Sequence, residues 1–159
     1  MKIINAGQGM TLAYPYLHRN ATEDAYIDTI GNIHILYKLQ GPSTQGTNEN
    51  RHAILSPGGD LLADVELPDE LGEFVRILQN ANGNFFLLGS SGVLYPTGAD
   101  GLILGTPINI DLKGYVVGYT GFGITSPRTG TPLSNIVDVV YPSGDGMQWV
   151  YFQITLPGE

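Results

Sequence analysis

The chain has 159 residues, 42% of them hydrophobic and only 14% charged, with no cysteine and a formal net charge of −8. This balance describes one globular domain able to bury a core, and it excludes disorder, a disulfide framework and thiolate metal sites. Seven Lys and Arg against fifteen Asp and Glu leave no electrostatic footprint for a phosphate backbone or an anionic membrane surface, so neither nucleic acid nor membrane is an expected partner.

Twenty-two glycines and ten prolines punctuate many short strands, and good helix formers are sparse, so the expected class is all-β. No apolar run reaches the length of a membrane span, and Met1-Lys2-Ile3-Ile4 is too short for a signal core. The expectation is a soluble chain with no visible signal peptide, its compartment left open. Lys2–Leu17 reads as one or two short strands around Gly7-Gln8-Gly9, and Asn20–Asp24 as a polar loop. Ala25–Asp28, the Gly31-Asn32 turn and Ile33–Tyr37 then form a hairpin, because Gly-Asn tolerates the positive φ that a tight turn requires. Alternation places Ile33, Ile35 and Tyr37 on one face, and His34, Leu36 and Lys38 on the other.

After a polar loop at Gly41–Asn50, a second hairpin joins His52–Leu55 to Leu61–Val65 through Pro57-Gly-Gly-Asp60. Asp69–Asn80 carries competing signals: Leu71, Phe74, Val75 and Leu78 have helical spacing, but Gly72 and the β-rich Phe-Val-Arg-Ile run favour a strand over Phe74–Leu78. Phe85–Leu88 follows the turn at Asn82-Gly-Asn84, and Val93–Tyr95 pairs with Leu102–Leu104 around Asp100-Gly101. Tyr115–Tyr119 reads as a strand that opens a Gly, Thr and Pro insertion over Lys113–Asn135. The last hairpin is Ile136–Tyr141, Ser143-Gly-Asp-Gly146 and Trp149–Ile154.

Gly31 and Gly83 stand 52 residues apart, which suits a four-stranded unit made of two hairpins and points to the blades of a β-propeller. Blade one is expected over about 25–67, blade two over 73–111 and a partial third, with its insertion, over 115–156 of one domain spanning 1–159. A closed ring needs at least about four blades. The expectation is therefore a homo-oligomer or a piece of a longer propeller.

No P-loop, zinc motif or nucleophile elbow is present, and no cofactor or metal is expected. Arg128, framed by Pro127 and Pro132 in the insertion, can either grip a carboxylate or sulfate on a ligand or brace its own loop against an acidic side chain. His18, Arg19, His34 and His52 are the other candidates for binding or proton transfer; a lone strand histidine otherwise stands as a hydrogen-bonded surface residue. Tyr37, Tyr115 and Tyr119 belong to a set of nine tyrosines whose rings can lie flat against sugars or pack between blades. Asp28 sits in a turn, where turn chemistry accounts for it.

Asp28, Gly31, Asn32, His34 and Tyr37 resemble the D-x-x-G-N-x-H-x-x-Y runs of BNR-like and sialidase-like propellers, and Ser143-Gly-Asp-Gly-Met-Gln-Trp149 is similar to their aspartate box, one residue shorter and with Gln148 in place of Thr. NHL-type propellers share the Gly-Asn hairpin. The resemblance implies a scaffold that binds or cleaves glycans: a carbohydrate-recognition propeller, a lyase or hydrolase subunit, or alternatively a non-catalytic structural or protein-interaction propeller that closes by oligomerisation. The sialidase arginine triad and Tyr–Glu pair have no counterpart in these residues.

Overall fold

A computed structural model describes residues 20–40, 48–111, 123–124, 134–142 and 148–158. Within them the chain is all-β, with a single 3-10 turn at Asp69–Leu71. Strands β1 (Asn20–Ile27), β2 (Ile33–Gln40), β3 (Asn48–Leu55) and β4 (Leu61–Leu67) form one antiparallel sheet in chain order. Strands β5 (Phe74–Gln79), β6 (Phe85–Gly89), β7 (Val93–Thr97) and β8 (Ile108–Asn109) form a second in the same manner. The third is the β10 (Ile136–Pro142) and β11 (Trp149–Thr155) hairpin, with the two-residue β9 (Gly123–Ile124) beside β10.

The turns follow from composition. At Asp28, Ser56 and Asn80 the residue closes a five-residue loop with its own backbone, and its side-chain oxygen takes two further N–H groups of the loop. Three residues on, Gly31, Gly59 and Gly83 sit at φ near 90°, where a side chain would be strained. Gly98 closes the same backbone loop ahead of Gly101.

The repeat extends to irregularities. Glu23 is an extra residue between the Thr22–Tyr37 and Asp24–Leu36 pairs, and Val75, 52 positions later, is extra between Phe74–Gly89 and Arg76–Leu88. The second bulge resolves the competing signals in Asp69–Asn80: it turns Val75 to the same face as Leu78, while Phe74 and Ile77 face the other way, so a strand buried on both sides imitates helical spacing.

The sheets stack face to face. Tyr26, Leu36 and Leu67 of the first meet Phe74, Ile77, Phe85, Leu87 and Tyr95 of the second. The opposite face of the second sheet presents Val75, Leu78, Phe86, Leu88 and Leu94 to Val137, Val139, Ile154 and Leu156 of the third. Each fully buried Leu or Phe in these two seams contributes about 1.5–3 kcal/mol.

Three expected boundaries change. Asn20–Asp24 belongs to β1, and Asn48–Asn50 to β3, rather than to loops, because their backbones continue the ladders with Leu36–Leu39 and Lys38–Gln40. Leu102–Leu104 is not a strand: both leucines are half exposed, Ile103 makes one bridge to Thr97, and pairing resumes only at Ile108. Lys2–Leu17, Tyr115–Tyr119 and most of the insertion lie outside the described residues.

Candidate functional site

Two polar constellations emerge, one buried in the seam between the first and second sheets and one exposed on the outer face of the third.

The buried one is a chain of three side chains. His34 Nε2 lies 3.3 Å from Asp28 Oδ2, and His34 Nδ1 lies 3.1 Å from His52 Nε2. His34 stacks on Phe85 of the second sheet, with ring centroids 4.5 Å apart. Relative exposures of 1% for His34 and 0% for His52 place both imidazoles inside the protein. With both rings neutral, the network assigns the tautomers. A carboxylate can only accept, so His34 Nε2–H donates to Asp28; His34 Nδ1 is then the acceptor, and His52 Nε2–H donates to it. His52 Nδ1 is left as a bare lone pair. It faces the Gly101 backbone, which favours a proton on the ring without meeting full hydrogen-bond geometry.

Electrostatics follow burial. Desolvation depresses His52 to about 4, and the neighbouring His34 pushes it further in that direction. Burial also lowers His34, against the opposing pull of Asp28. Burial raises the Asp28 carboxyl, but hydrogen bonds from the Asn32 N–H, His34 and the Ile30 N–H outweigh it and leave the group below its ordinary value. Both histidines are therefore neutral at pH 7.

The sheet alternation that carries Leu36 inward carries His34 with it, so the expectation of isolated surface histidines does not hold for His34 or His52. Their proximity was legible only across strands, since Leu36 is directly opposite His52 in the β2–β3 register. Tyr37 lies on the other face, buried, with its hydroxyl donating to Asp64 Oδ1 at 2.9 Å, and Arg51 Nε meets the same oxygen at 3.0 Å. Tyr37 and His34 are thus on opposite faces of one strand and do not form one site. Arg128, Tyr115, Tyr119, His18 and Arg19 lie outside the described residues.

The exposed constellation is built by β10 and β11. Period-two alternation sends Val137, Val139 and Ile154 into the core and leaves Trp149, Tyr151 and Gln153 on the outer face, where Asp138 pairs with Gln153 in the register. Trp149 is 72% exposed and Tyr151 58%, whereas Asp138 beneath them is buried at 9%. Asp138 Oδ1 accepts from the Tyr151 hydroxyl at 2.8 Å and from Gln153 Nε2 at 3.0 Å, and Gln153 Nε2 is also 2.8 Å from the Tyr151 oxygen. The rings stand two residues apart on one strand, about 7 Å, beside a carboxylate, an amide and a phenol that hold one another in place.

Sequence reasoning placed Trp149 in a strand but did not single it out. The available signal was the alternation of Trp149, Tyr151 and Gln153 in a strand whose other positions are Val150, Phe152 and Ile154. Among the described residues no cluster of three His, Cys, Asp or Glu is arranged to hold a metal ion, and no helix is long and apolar enough to cross a membrane. In comparison with known proteins the chain matches no family model, no curated protein and no solved structure.

Proposed function

We propose that the protein is a carbohydrate-binding β-repeat module that recognises a neutral glycan on the outer face of its third sheet. The observation that carries this reading is the exposed pair Trp149 and Tyr151, flanked by the braced Asp138–Gln153 set. Aromatic faces at a spacing on the scale of one sugar unit suit the C–H faces of successive pyranose rings, while the exposed Gln153 amide suits a hydroxyl. The net charge of −8 disfavours uronates and other acidic sugars, so a neutral glycan fits better than the acidic ligand expected around Arg128.

The finer fold reading is a propeller segment. It is supported by two successive four-stranded meanders, by a bulge repeated at 52 residues and by the approach of β5 to β1, where the Ile77 N–H donates to Asp24 Oδ2 at 2.8 Å. A further blade, from the same chain or a second copy, would lie on the outer face of the third sheet and compete with glycan for it. The composition of that face favours glycan: the packed seams present mainly aliphatic and aromatic side chains, whereas this face carries Asp138, Gln153 and Thr155 beside its rings.

A screen against neutral oligosaccharides, followed by calorimetry on the best binder, tests the reading. Saturable binding that Trp149→Ala weakens tenfold or more is expected. Self-association that buries Trp149, with no glycan bound at millimolar concentration, would favour the blade-docking alternative instead.

A further inference from the structure

The five-residue loops that begin at Asp28, Ser56, Asn80 and Gly98 share one backbone pattern, yet their third position differs in chemistry. Ile30, Gly58, Asn82 and Asp100 occupy it in turn, each followed by a glycine at positive φ. The loop therefore requires no amide at this place. Asn82 uses its amide to reach another sheet: Nδ2 donates to the Gly158 carbonyl, in the segment that leaves β11. Beside it, Asn80 Nδ2 donates to the Pro157 carbonyl at 2.6 Å and the Ala81 N–H donates to Asn135 Oδ1 at 2.7 Å. This turn is thus the clasp between the second sheet and the end of the third.

We propose that Asn82 is a site of self-modification, where deamidation converts the amide to a carboxylate and frees the Pro157–Gly158 segment from the second sheet. The Gly83 backbone nitrogen attacks Asn82 Cγ, and the new N–C bond closes a five-membered succinimide. The Cγ–Nδ2 bond breaks, and ammonia leaves with the proton that the Gly83 nitrogen gives up. Water then adds to one of the two ring carbonyls. Opening on one side yields aspartate; opening on the other yields isoaspartate, with the main chain running through the former side chain. Water is the one co-reactant, and no oxidant or reductant is involved.

Surroundings single out this asparagine. Asn82-Gly83 is the sole Asn-Gly step in the sequence, and Asn82 is exposed. A Cβ built on Gly83 would meet nothing nearer than Gln79 Nε2 at 3.9 Å, so the flank of the attacking nitrogen is open. At the matched Gly101 a Cβ would lie within 3.4 Å of His52, Val65 and Ile54. One turn bond is surrendered in the attack, from the Gly83 N–H to the Asn80 carbonyl at 3.0 Å. Asn32 and Asn135 precede the branched Ile33 and Ile136, and Asn84 precedes Phe85, side chains that crowd the same approach. The product undoes the clasp. A carboxylate has no proton to donate, so the bond to Gly158 is lost and a negative charge faces its carbonyl oxygen. Isoaspartate also lengthens the backbone between the Asn82 and Asn84 N–H groups, both of which donate to Asn80 Oδ1.

Peptide mass mapping of the full chain, incubated folded at pH 8.5 and 37 °C, tests the site. The peptide that holds Asn82 is expected to gain one mass unit and to contain both aspartate and isoaspartate, faster as the pH rises because the attacking nitrogen must shed its proton. Asn82→Gln is expected to stop the gain. Amide hydrogen exchange on the converted protein then reads the release. Ala81 and Leu156, whose N–H groups donate to Asn135 Oδ1 and to the Asn135 carbonyl, should each lose protection about tenfold. Ile77, held by Asp24 across the first seam, should keep its own. An Asn82 that stays intact in the folded chain while converting in urea would overturn the proposal, because the turn would then lock the amide. So would a gain that survives in Asn82→Gln, a conversion that leaves Ala81 and Leu156 as they were, or one that unprotects Ile77 along with them.

Discussion

The buried Asp28–His34–His52 chain and the third-sheet face, where Trp149, Tyr151 and Gln153 are exposed over a buried Asp138, place similar materials, a carboxylate and rings, in opposite surroundings. In the seam the rings are enclosed by neighbouring sheets, and His34 and the Asp28 carboxylate are taken up by internal hydrogen bonds, so the cluster has no surface to offer a ligand. On the third sheet the polar atoms brace one another at the base of the platform while two ring faces meet solvent. Burial decides the difference: rings left in water stay open to a ligand, whereas rings enclosed beside a carboxylate are pushed away from their ordinary titration range.

The comparison is tested most strongly by pH. Above 6.5 the folded and unfolded chains both hold neutral histidine, and stability is whole. As the pH falls through 6.5 the unfolded chain takes up protons that the folded one refuses, and the loss continues to about 4, where His52 titrates in the fold. The gap between 6.5 and about 4 amounts to about 3 kcal/mol from His52 alone. Asp28, held below its ordinary value, adds to the loss only at lower pH, and Asp24, held above its own, offsets a part of it. Urea unfolding followed from pH 7.5 to 4 should show this slope, and glycan affinity measured where the fold is intact should not follow it.

Removing the buried ring is the next largest effect. His34→Ala leaves a cavity against Phe85 and strips both Asp28 and His52 of a partner, for a loss of about 2–4 kcal/mol in unfolding free energy. Glycan affinity at neutral pH should be unchanged in the folded fraction. An affinity change of more than about threefold would mean that the two regions communicate and that the division between them is wrong.

Smaller effects sharpen the account at the turns. Asn32→Ala loses both turn preference and the bond from Nδ2 to Asp28 Oδ2 at 3.1 Å, and is expected to cost on the order of 1 kcal/mol, read as a melting temperature lower by a few degrees. Asn84→Ala, at the matched position, should cost less. Smallest of all in stability is Trp149→Ala, expected within about 0.5 kcal/mol of wild type because the ring is exposed.

What could be read in the sequence was governed by local chemistry. Gly-Asn and Gly-Gly turns reveal their hairpins because φ near 90° admits few other residues, and the 52-residue spacing of Gly31 and Gly83 announces repeated four-stranded sheets. The strand end at Asn20–Asp24 was hidden because the partners of its polar side chains lie elsewhere in the chain, Glu23 on Lys38 and Asp24 on the Ile77 N–H. Leu102–Leu104 misled for the converse reason, being apolar by composition but exposed in place. The bulge at Val75 breaks period two in a way that one segment cannot disclose, because only the partner strand shows which residue is extra. The histidine pair was invisible as a pair, since His34 and His52 are brought together by the β2–β3 register and enclosed by a sheet contributed later in the chain.

Trp149 is the one tryptophan of the chain, which makes its fluorescence a direct witness of the proposed platform. Titration at pH 7.5 with a neutral oligosaccharide of several units is predicted to shift its emission to shorter wavelength and to protect it from iodide quenching, saturably, with both effects absent when the same sugar is offered to protein unfolded in urea. An emission maximum and quenching constant that stay fixed through millimolar concentrations of a panel of neutral glycans would contradict the assignment of this face to carbohydrate.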